Sequence, residues 1–171
     1  GKIFTEDTMR SADLATSSFG QSQTVTMVQM AAAFSSVVNG GYYYTPHVVK
    51  EIQNENGATV SEIETQPVHK VVTAETSKLL RGYLYKTVEE GTAKAAQVKG
   101  YKVGGKTGTA EKYPRKKKNY LVSFIGFTPV EHPEVVIYVV IDQPHVEDQA
   151  HSTYATEFAS SVMGDVLPML G

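Results

Sequence analysis

Three consecutive segments rich in β-branched and aromatic residues, in the C-terminal half of the chain, constrain its fold more than any other feature. They span residues 101–113, 120–128 and 134–141. Only five or six residues separate neighbouring segments, and each separator contains proline. Connections this short join antiparallel neighbours, because parallel strands need a crossover of a dozen or more residues. The sequence therefore predicts an antiparallel meander of three strands.

Segments with helical periodicity lie on both sides of the predicted meander. Residues 26–39 carry apolar side chains at three- and four-residue spacing, with Thr26 and Gln29 placed to form a capping box. Thr73 is placed to cap a second helix that runs to about Glu89. The apolar face predicted for this second helix consists of Leu79, Leu80, Tyr83, Leu84 and Val88.

A third helix is predicted after the last strand, because apolar residues there recur every four positions. The residues that we expect to pack on the sheet are Tyr154, Phe158, Val162 and Val166. Between the first two helices, residues 48–63 predict a hairpin that turns at Asn56 and Gly57, a pair that tolerates the positive φ angles of tight turns. This order of elements favours the α+β class, with helices packed on an antiparallel sheet.

The predicted sheet is thin for this architecture. Three strands make a small platform for the helices, and the outer edge of segment 134–141 has no predicted partner. The sequence also begins abruptly at Gly1 and ends at Gly171, just after a helical pattern. We therefore expect residues 1–171 to be the C-terminal part of a single domain, truncated on its N-terminal side, so that the fold is incomplete in this chain.

Composition excludes several kinds of site. The chain has 171 residues and no cysteine, which excludes disulfides, thiolate metal sites and a cysteine nucleophile. Its net charge of -2 gives no overall field that favours nucleic acid or an anionic membrane. The longest apolar run, residues 135–141, is far shorter than the about 20 residues that span a bilayer. No two histidines have the i, i+4 spacing of a helical metal site, so we predict no metal and no cofactor.

The segment Lys106-Thr107-Gly108-Thr109 lies within the first predicted strand, directly after two glycines. An edge strand offers backbone groups to an extended peptide, and Gly108 removes a side chain that would block the approach. Lys106 supplies a cation that can hold a proton network in place or attract a carboxylate, and the hydroxyls of Thr107 and Thr109 can hydrogen-bond a carboxylate. The Thr109 N–H can donate to a tetrahedral oxyanion. These residue types suit acyl transfer, although the same segment also fits a solvated strand with a glycine bulge.

Six segments along the chain match a known family in order. They are Phe19-Gly20-Gln21, residues 26–41, Pro46, Glu90-Gly91-Thr92, residues 104–110 and residues 123–127. Together they resemble the class B penicillin-binding proteins, most closely those of Gram-positive cell division and sporulation. The resemblance implies the penicillin-binding and serine β-lactamase-like transpeptidase fold. In that family Lys-Thr-Gly is the third active-site motif, after Ser-x-x-Lys and Ser-x-Asn.

The first two motifs do not occur in this chain, since no serine is followed by lysine three positions later or by asparagine two positions later. In the family both motifs precede the Phe-Gly-Gln segment, so the resemblance implies that the nucleophilic serine lies on a missing N-terminal half. It assigns Lys106 to the hydrogen-bonded network that joins the motifs. It assigns Thr107 and Thr109 to binding the substrate carboxylate beside Gly108, and the Thr109 N–H to the oxyanion hole.

The implied activity is peptidoglycan D,D-transpeptidation through an acyl-serine intermediate, on stem peptides that end in D-Ala-D-Ala, with β-lactams as inhibitors. The chain alone is expected to be inactive. The implied partners are the missing half of the domain and other cell-wall synthesis proteins, and not nucleic acid. The implied location is the extracytoplasmic face of the bacterial membrane, with an anchoring N-terminal helix outside this sequence. Two alternatives stay open: a carboxypeptidase or β-lactamase-like hydrolase of the same fold, and a non-enzymatic penicillin-fold sensor or scaffold.

Two further groups of residues favour structural interpretations. Ser17 and Ser18 have no histidine or lysine at motif spacing, so we interpret them as loop or turn serines. The run Arg115-Lys116-Lys117-Lys118 joins two predicted strands. It is typical of a solvated hairpin tip, because it lacks an array of stacking aromatic residues. Contact of this run with anionic envelope polymers or a partner protein remains a hypothesis.

Overall fold

The computed structural model describes residue 1 and residues 3–170 as four helices and seven strands. In chain order the helices are α1 (Ser11–Ser17), α2 (Met27–Val38), α3 (Ala74–Glu89) and α4 (Thr153–Leu170). The strands are β1 (Tyr42–Tyr43), β2 (Glu51–Gln53), β3 (Thr59–Glu62), β4 (His69–Lys70), β5 (Gly104–Glu111), β6 (Tyr120–Thr128) and β7 (Val135–Asp142). Two 3₁₀ turns lie at Lys94–Ala96 and Arg115–Lys117. Within the described residues, no helix combines the length and the apolar character needed to cross a bilayer.

The predicted meander is confirmed as a three-stranded antiparallel sheet in the order β5-β6-β7. Pairing between β5 and β6 is continuous, from Gly104 opposite Phe127 to Glu111 opposite Tyr120. Because β6 lies between two strands, its side chains are the most deeply buried of the sheet. The outer edges of β5 and β7 have no strand partner among the described residues.

One face of the sheet packs on α4, but through a different side of that helix from the one predicted. The α4 residues that are buried are Ala155, Thr156, Ala159, Met163 and Leu167. Phe158, which was expected to face the sheet, is 58% exposed. Two ladders of residues spaced by four run side by side on α4. The series Ala155, Ala159, Met163 and Leu167 faces the sheet. Its two alanines have small side chains, which let the helix approach the buried ring of Phe124 closely.

Polar contacts with the end of α2 set the orientation of α3. The buried Ser77 hydroxyl accepts a hydrogen bond from the Gly40 N–H at 3.0 Å, and Arg81 Nη1 donates to the Val38 carbonyl at 2.9 Å. The predicted apolar face is therefore only partly correct. Val88 is buried and Leu80 and Leu84 are half-buried, whereas Leu79 and Tyr83 are exposed.

The predicted helix starts and the hairpin turn are confirmed. The Thr26 hydroxyl accepts from the Gln29 N–H at 3.2 Å, and the Gln29 side chain accepts from the Thr26 N–H at 2.9 Å. The Thr73 hydroxyl caps α3 by accepting a hydrogen bond from the Thr76 N–H at 3.1 Å. Strands β2 and β3 form the antiparallel hairpin, with Gly57 in its turn at φ +78°. Neither α1 nor the antiparallel pairing of β1 with β4 was predicted.

Gly105 marks a point where β5 has no room for a side chain. A Cβ at this position would lie 2.5 Å from Cζ of Phe124 and 2.6 Å from the carbonyl oxygen of Ile125. The ring is fully buried and the β6 backbone is held by strand pairing, so neither can move aside cheaply. We therefore expect Gly105→Ala to lower the free energy of unfolding by about 2–3 kcal/mol, measured by urea denaturation.

Gly164 of α4 provides a matched control for this substitution. It is exposed, and a Cβ there would meet nothing within 4 Å. Gly164→Ala should raise the free energy of unfolding by about 0.5–1 kcal/mol, because alanine loses less backbone entropy in a helix. A Gly105→Ala protein as stable as the unsubstituted one would contradict the packing described for β5.

Candidate active site

An open cleft of about 530 Å³ lies along β5. Residues 106–110 of β5 form one wall, so the cleft brings together all the predicted site residues. The opposite wall consists of Met30 and of Phe19, Gly20 and Gln21, from the loop that follows α1. The floor is formed by Leu121, Ser123, Ile125 and Tyr138 of β6 and β7.

Neighbouring residues of β5 point to opposite faces of the sheet. Lys106 and Gly108 lie on the same face as their cross-strand partners Ile125 and Ser123, which form the cleft floor. Thr107 and Thr109 lie on the other face and line the cleft from the open edge of the strand. A group bound along this edge therefore meets the lysine from one side and the threonine hydroxyls from the other.

The hydrogen-bond pattern of β5 directs the Thr109 backbone towards the open edge. In an antiparallel pair, residues that bond to the partner strand alternate with residues whose N–H and C=O point away from it. The Lys112 N–H donates to the Asn119 carbonyl at 2.8 Å, in the register of the β5–β6 pairing. Residues that lie an even number of positions before Lys112 therefore hydrogen-bond to β6 through their backbone. Thr107, Thr109 and Glu111 lie between them, so their N–H and C=O groups point towards the open edge.

Two contacts on the outer side of β5 agree with this alternation. The Gly105 carbonyl accepts a hydrogen bond from the Thr87 hydroxyl of α3. The Thr107 carbonyl accepts one from Lys106 Nζ at 3.0 Å. Since α3 covers the edge at Gly105, the free stretch of β5 begins at Thr107 and continues to the hairpin loop.

Thr92 is a residue of this region that the motif-based analysis missed. Its hydroxyl lies 3.3 Å from the Thr107 hydroxyl, close enough for a hydrogen bond in either direction. Thr92 follows α3 and is exposed. It belongs to one of the segments that carry the family resemblance, and this was the one sequence feature that could have indicated it.

The other candidate residues lie outside the cleft. The Ser18 hydroxyl donates to the Ala15 carbonyl at 2.7 Å. The Ser17 hydroxyl is buried without a hydrogen-bond partner in the described part of the chain. Neither serine lines the cleft. Across residue 1 and residues 3–170, no three His, Cys, Asp or Glu side chains are grouped so that they could hold a metal.

The carboxylates with clear pKa shifts and ion-pair partners also lie away from the cleft. The pKa of Glu131 is lowered because Lys102 Nζ donates to it at 2.5 Å. The pKa of Asp148 is lowered because it accepts hydrogen bonds from the Ala150 N–H and from the His151 ring. All five of these groups belong to exposed segments and none of them lines the cleft, so their interactions order the loops that flank the sheet.

Comparison with known proteins gives consistent matches. Residues 4–164 match the family described as the penicillin binding protein transpeptidase domain. The chain is 42% identical to stage V sporulation protein D of Bacillus subtilis, over 100% of this chain and 27% of that protein. It also matches the transpeptidase domain of penicillin-binding protein 3 from Burkholderia pseudomallei with a TM-score of 0.81 and 27% identity, covering 100% of this chain and 50% of that one.

A further solved structure shows the same fold. Penicillin-binding protein 3 of Mycobacterium tuberculosis, in complex with ampicillin, matches with a TM-score of 0.85 and 24% identity over 98% of this chain and 40% of that one. The predicted α+β fold class is therefore confirmed. The chain spans 27% and 30% of the length of the first curated relatives that it matches.

Proposed function

Because the chain belongs to the penicillin-binding protein transpeptidase family, we propose that it forms the Lys-Thr-Gly part of a peptidoglycan D,D-transpeptidase. The observation that carries this proposal is the free stretch of β5, where the N–H and C=O of Thr109 face the open edge beside the exposed Lys106. A stem peptide ending in D-Ala-D-Ala pairs with this edge as an additional strand. Relatives named as peptidoglycan D,D-transpeptidases support the assignment.

The nucleophile in this proposal is a serine on a segment outside this sequence, in the N-terminal half of the domain. Its Oγ attacks the carbonyl carbon of the penultimate D-Ala, and the tetrahedral oxyanion forms within reach of the Thr109 N–H. Cleavage of the C–N bond releases the terminal D-Ala, whose nitrogen takes up the serine proton, and leaves an acyl ester. The amine of a second stem peptide then attacks the ester, which forms the crosslinking amide and returns a proton to the serine oxygen.

Each β5 residue of the site has a distinct role in this proposal. Lys106, which reaches the Thr107 carbonyl in the chain itself, anchors the network that joins the serine-bearing motifs. The hydroxyls of Thr107 and Thr109 bind the terminal carboxylate of the substrate, and Thr92 orients the Thr107 hydroxyl. Gly108 keeps this part of the cleft free of a side chain, and a Cβ there would also lie 2.6 Å from Ser123 Oγ.

β-Lactams acylate the same serine in this proposal, and the complexes of the M. tuberculosis relative with aztreonam and ampicillin support it. The domain acts on the extracytoplasmic face of the bacterial membrane, where its substrate lies, and is held there by an N-terminal helix outside this sequence. Its obligatory partner is the serine-bearing half of the domain. Other cell-wall synthesis proteins are further partners.

Labelling with a fluorescent penicillin tests the proposal. We expect no label on this chain alone, because the serine-bearing motifs lie elsewhere, and a label on their serine when both halves are joined in one domain. Mass spectrometry of proteolytic peptides locates the label. Labelling of a serine within residues 1–171, or absence of labelling in the joined domain, would contradict the proposal.

Product analysis separates transpeptidation from the two alternatives. With a D-Ala-D-Ala donor and a D-amino acid acceptor, a transpeptidase releases D-Ala and forms the transfer product. Hydrolysis of the donor without transfer indicates a carboxypeptidase or β-lactamase-like enzyme. A folded domain that neither reacts with penicillin nor releases D-Ala indicates a sensor or scaffold.

A further inference from the structure

Four exposed cations stand at one end of the proposed substrate strand. They are the side chains of residues 115–118, at the tip of the hairpin that joins β5 to β6. In the described part of the chain, none of them forms an ion pair. At the base of the hairpin lie Glu111, at the end of β5, and the Lys112–Asp142 pair, in which Lys112 Nζ lies 2.6 Å from Asp142 Oδ1 at the end of β7. The positive charge of the tip is therefore not neutralised by partners of its own.

Local contacts hold the tip in a defined conformation. The Arg115 guanidinium lies 5.3 Å from the ring centroid of Tyr113. The Lys117 N–H donates to the Pro114 carbonyl and the Lys118 N–H to the Arg115 carbonyl, both at 3.0 Å. The backbone of the tip and the Arg115 side chain thus have a defined conformation at the end of β5. With a strand rise of about 3.4 Å per residue, the hairpin loop starts about 10 Å beyond Thr109.

The roles proposed for Thr107 and Thr109 fix the direction of the bound peptide. Its terminal carboxylate lies beside Thr107 and its scissile carbonyl beside Thr109, so the peptide runs antiparallel to β5. The residues that precede D-Ala-D-Ala then extend along Ala110 and Glu111 towards the tip, the first two lying about 3 and 7 Å beyond the scissile residue. This places them within about one Debye length, at 0.1 M salt, of the start of the hairpin loop that carries the four cations.

We propose that residues 115–118 bind carboxylates on the stem-peptide residues upstream of D-Ala-D-Ala, so that the enzyme prefers donor peptides with free carboxylates there over amidated ones. This inference rests on the proposed function and adds the class of donor that the site selects. The chain as a whole has a net charge of -2 and exerts no such attraction, so the preference is a local property of the hairpin tip.

Two donor peptides that differ only in charge test the inference: acetyl-Glu-Glu-D-Ala-D-Ala and acetyl-Gln-Gln-D-Ala-D-Ala. The ratio of their kcat/KM values for D-Ala release measures the preference in the intact protein. We expect a ratio of roughly tenfold in favour of the Glu peptide. The ratio should approach one in the variant R115S/K116S/K117S/K118S, and also in the unsubstituted protein at about 1 M salt, where the Debye length is about 3 Å.

The variant K50S/K78S/K86S/K99S is the matched control. It removes four exposed cations that do not line the cleft, and it should keep the preference. Benzylpenicillin, which has no upstream peptide residue, reports in each protein whether the active site is assembled. The salt dependence is measured on the unsubstituted protein and does not depend on the folding of any variant.

The outcomes separate failure of this inference from failure of the proposed function. A protein that reacts with neither penicillin nor the peptides contradicts the proposed function. A protein that reacts with penicillin and with both peptides at equal rates overturns the carboxylate site alone. A preference that persists in the four-serine variant, or in the unsubstituted protein at high salt, overturns it as well.

Discussion

Lys106→Gln is expected to slow acylation by benzylpenicillin at least about a hundredfold in the domain that joins this chain to its serine-bearing half. Glutamine keeps a hydrogen-bond donor on a side chain one atom shorter, but it removes the positive charge that holds the proton network in the proposed mechanism. The Lys106 side chain is exposed, and its Nζ donates a hydrogen bond to the neighbouring Thr107 carbonyl. The free energy of unfolding should therefore change by less than about 0.5 kcal/mol.

The measurement is the second-order rate constant of penicillin acylation, with urea denaturation of the same samples. Lys99→Gln serves as the control, because Lys99 is also exposed but does not line the cleft. It should leave both quantities unchanged. A Lys106→Gln protein that is acylated as fast as the Lys99→Gln protein would remove Lys106 from the mechanism, whereas a large loss of stability would show that the lysine has a structural role.

The strand topology around the site follows directly from the sequence. Three segments rich in β-branched and aromatic residues, joined by short proline-containing connections, are enough to predict an antiparallel meander, and the structure has that topology. The structure adds the hydrogen-bond register between β5 and β6, which determines the direction of each backbone group in β5. Once Lys112 bonds to Asn119, strict alternation determines that the Thr109 N–H faces outwards, as an oxyanion donor requires.

The packing faces of the helices did not follow from the sequence. On α4, two equally regular ladders of apolar residues lie one position apart, and periodicity alone cannot distinguish them. The choice depends on the surface opposite, where Phe124 requires the small side chains of Ala155 and Ala159 nearby. On α3, the buried hydrogen bond between Ser77 and Gly40 orients the helix so that Leu79 is exposed. These two residues are 37 positions apart in the sequence, so local periodicity cannot predict their contact.

Thr92 was missed for a similar reason. It reaches Thr107 because the turn after α3 passes the open edge of β5, and this approach is a tertiary feature with no motif of its own. The residues that carry the Lys-Thr-Gly chemistry are close in sequence and could be identified together. Thr92 follows another element, and only the fold brings its hydroxyl within 3.3 Å of the Thr107 hydroxyl.

Thr109→Pro is expected to slow penicillin acylation about a hundredfold to a thousandfold, the loss typical for removal of one oxyanion donor. Proline deletes the N–H that faces the open edge and keeps the carbonyl. Because that N–H makes no bond to β6, the sheet keeps its ladder, and proline is tolerated in an edge strand when its missing N–H would face outwards.

Thr109→Ala separates the backbone donor from the hydroxyl at the same position. It retains the N–H and removes the exposed hydroxyl that binds the substrate carboxylate, so we expect a loss of only about fivefold to tenfold, which corresponds to about 1–1.4 kcal/mol for one solvent-accessible hydrogen bond. The acylation rates of both variants are compared with their urea denaturation midpoints, so that a proline variant that is merely unfolded is recognised. If the folded proline and alanine variants react at the same rate, the Thr109 N–H does not stabilise the oxyanion and the donor must lie elsewhere on the domain.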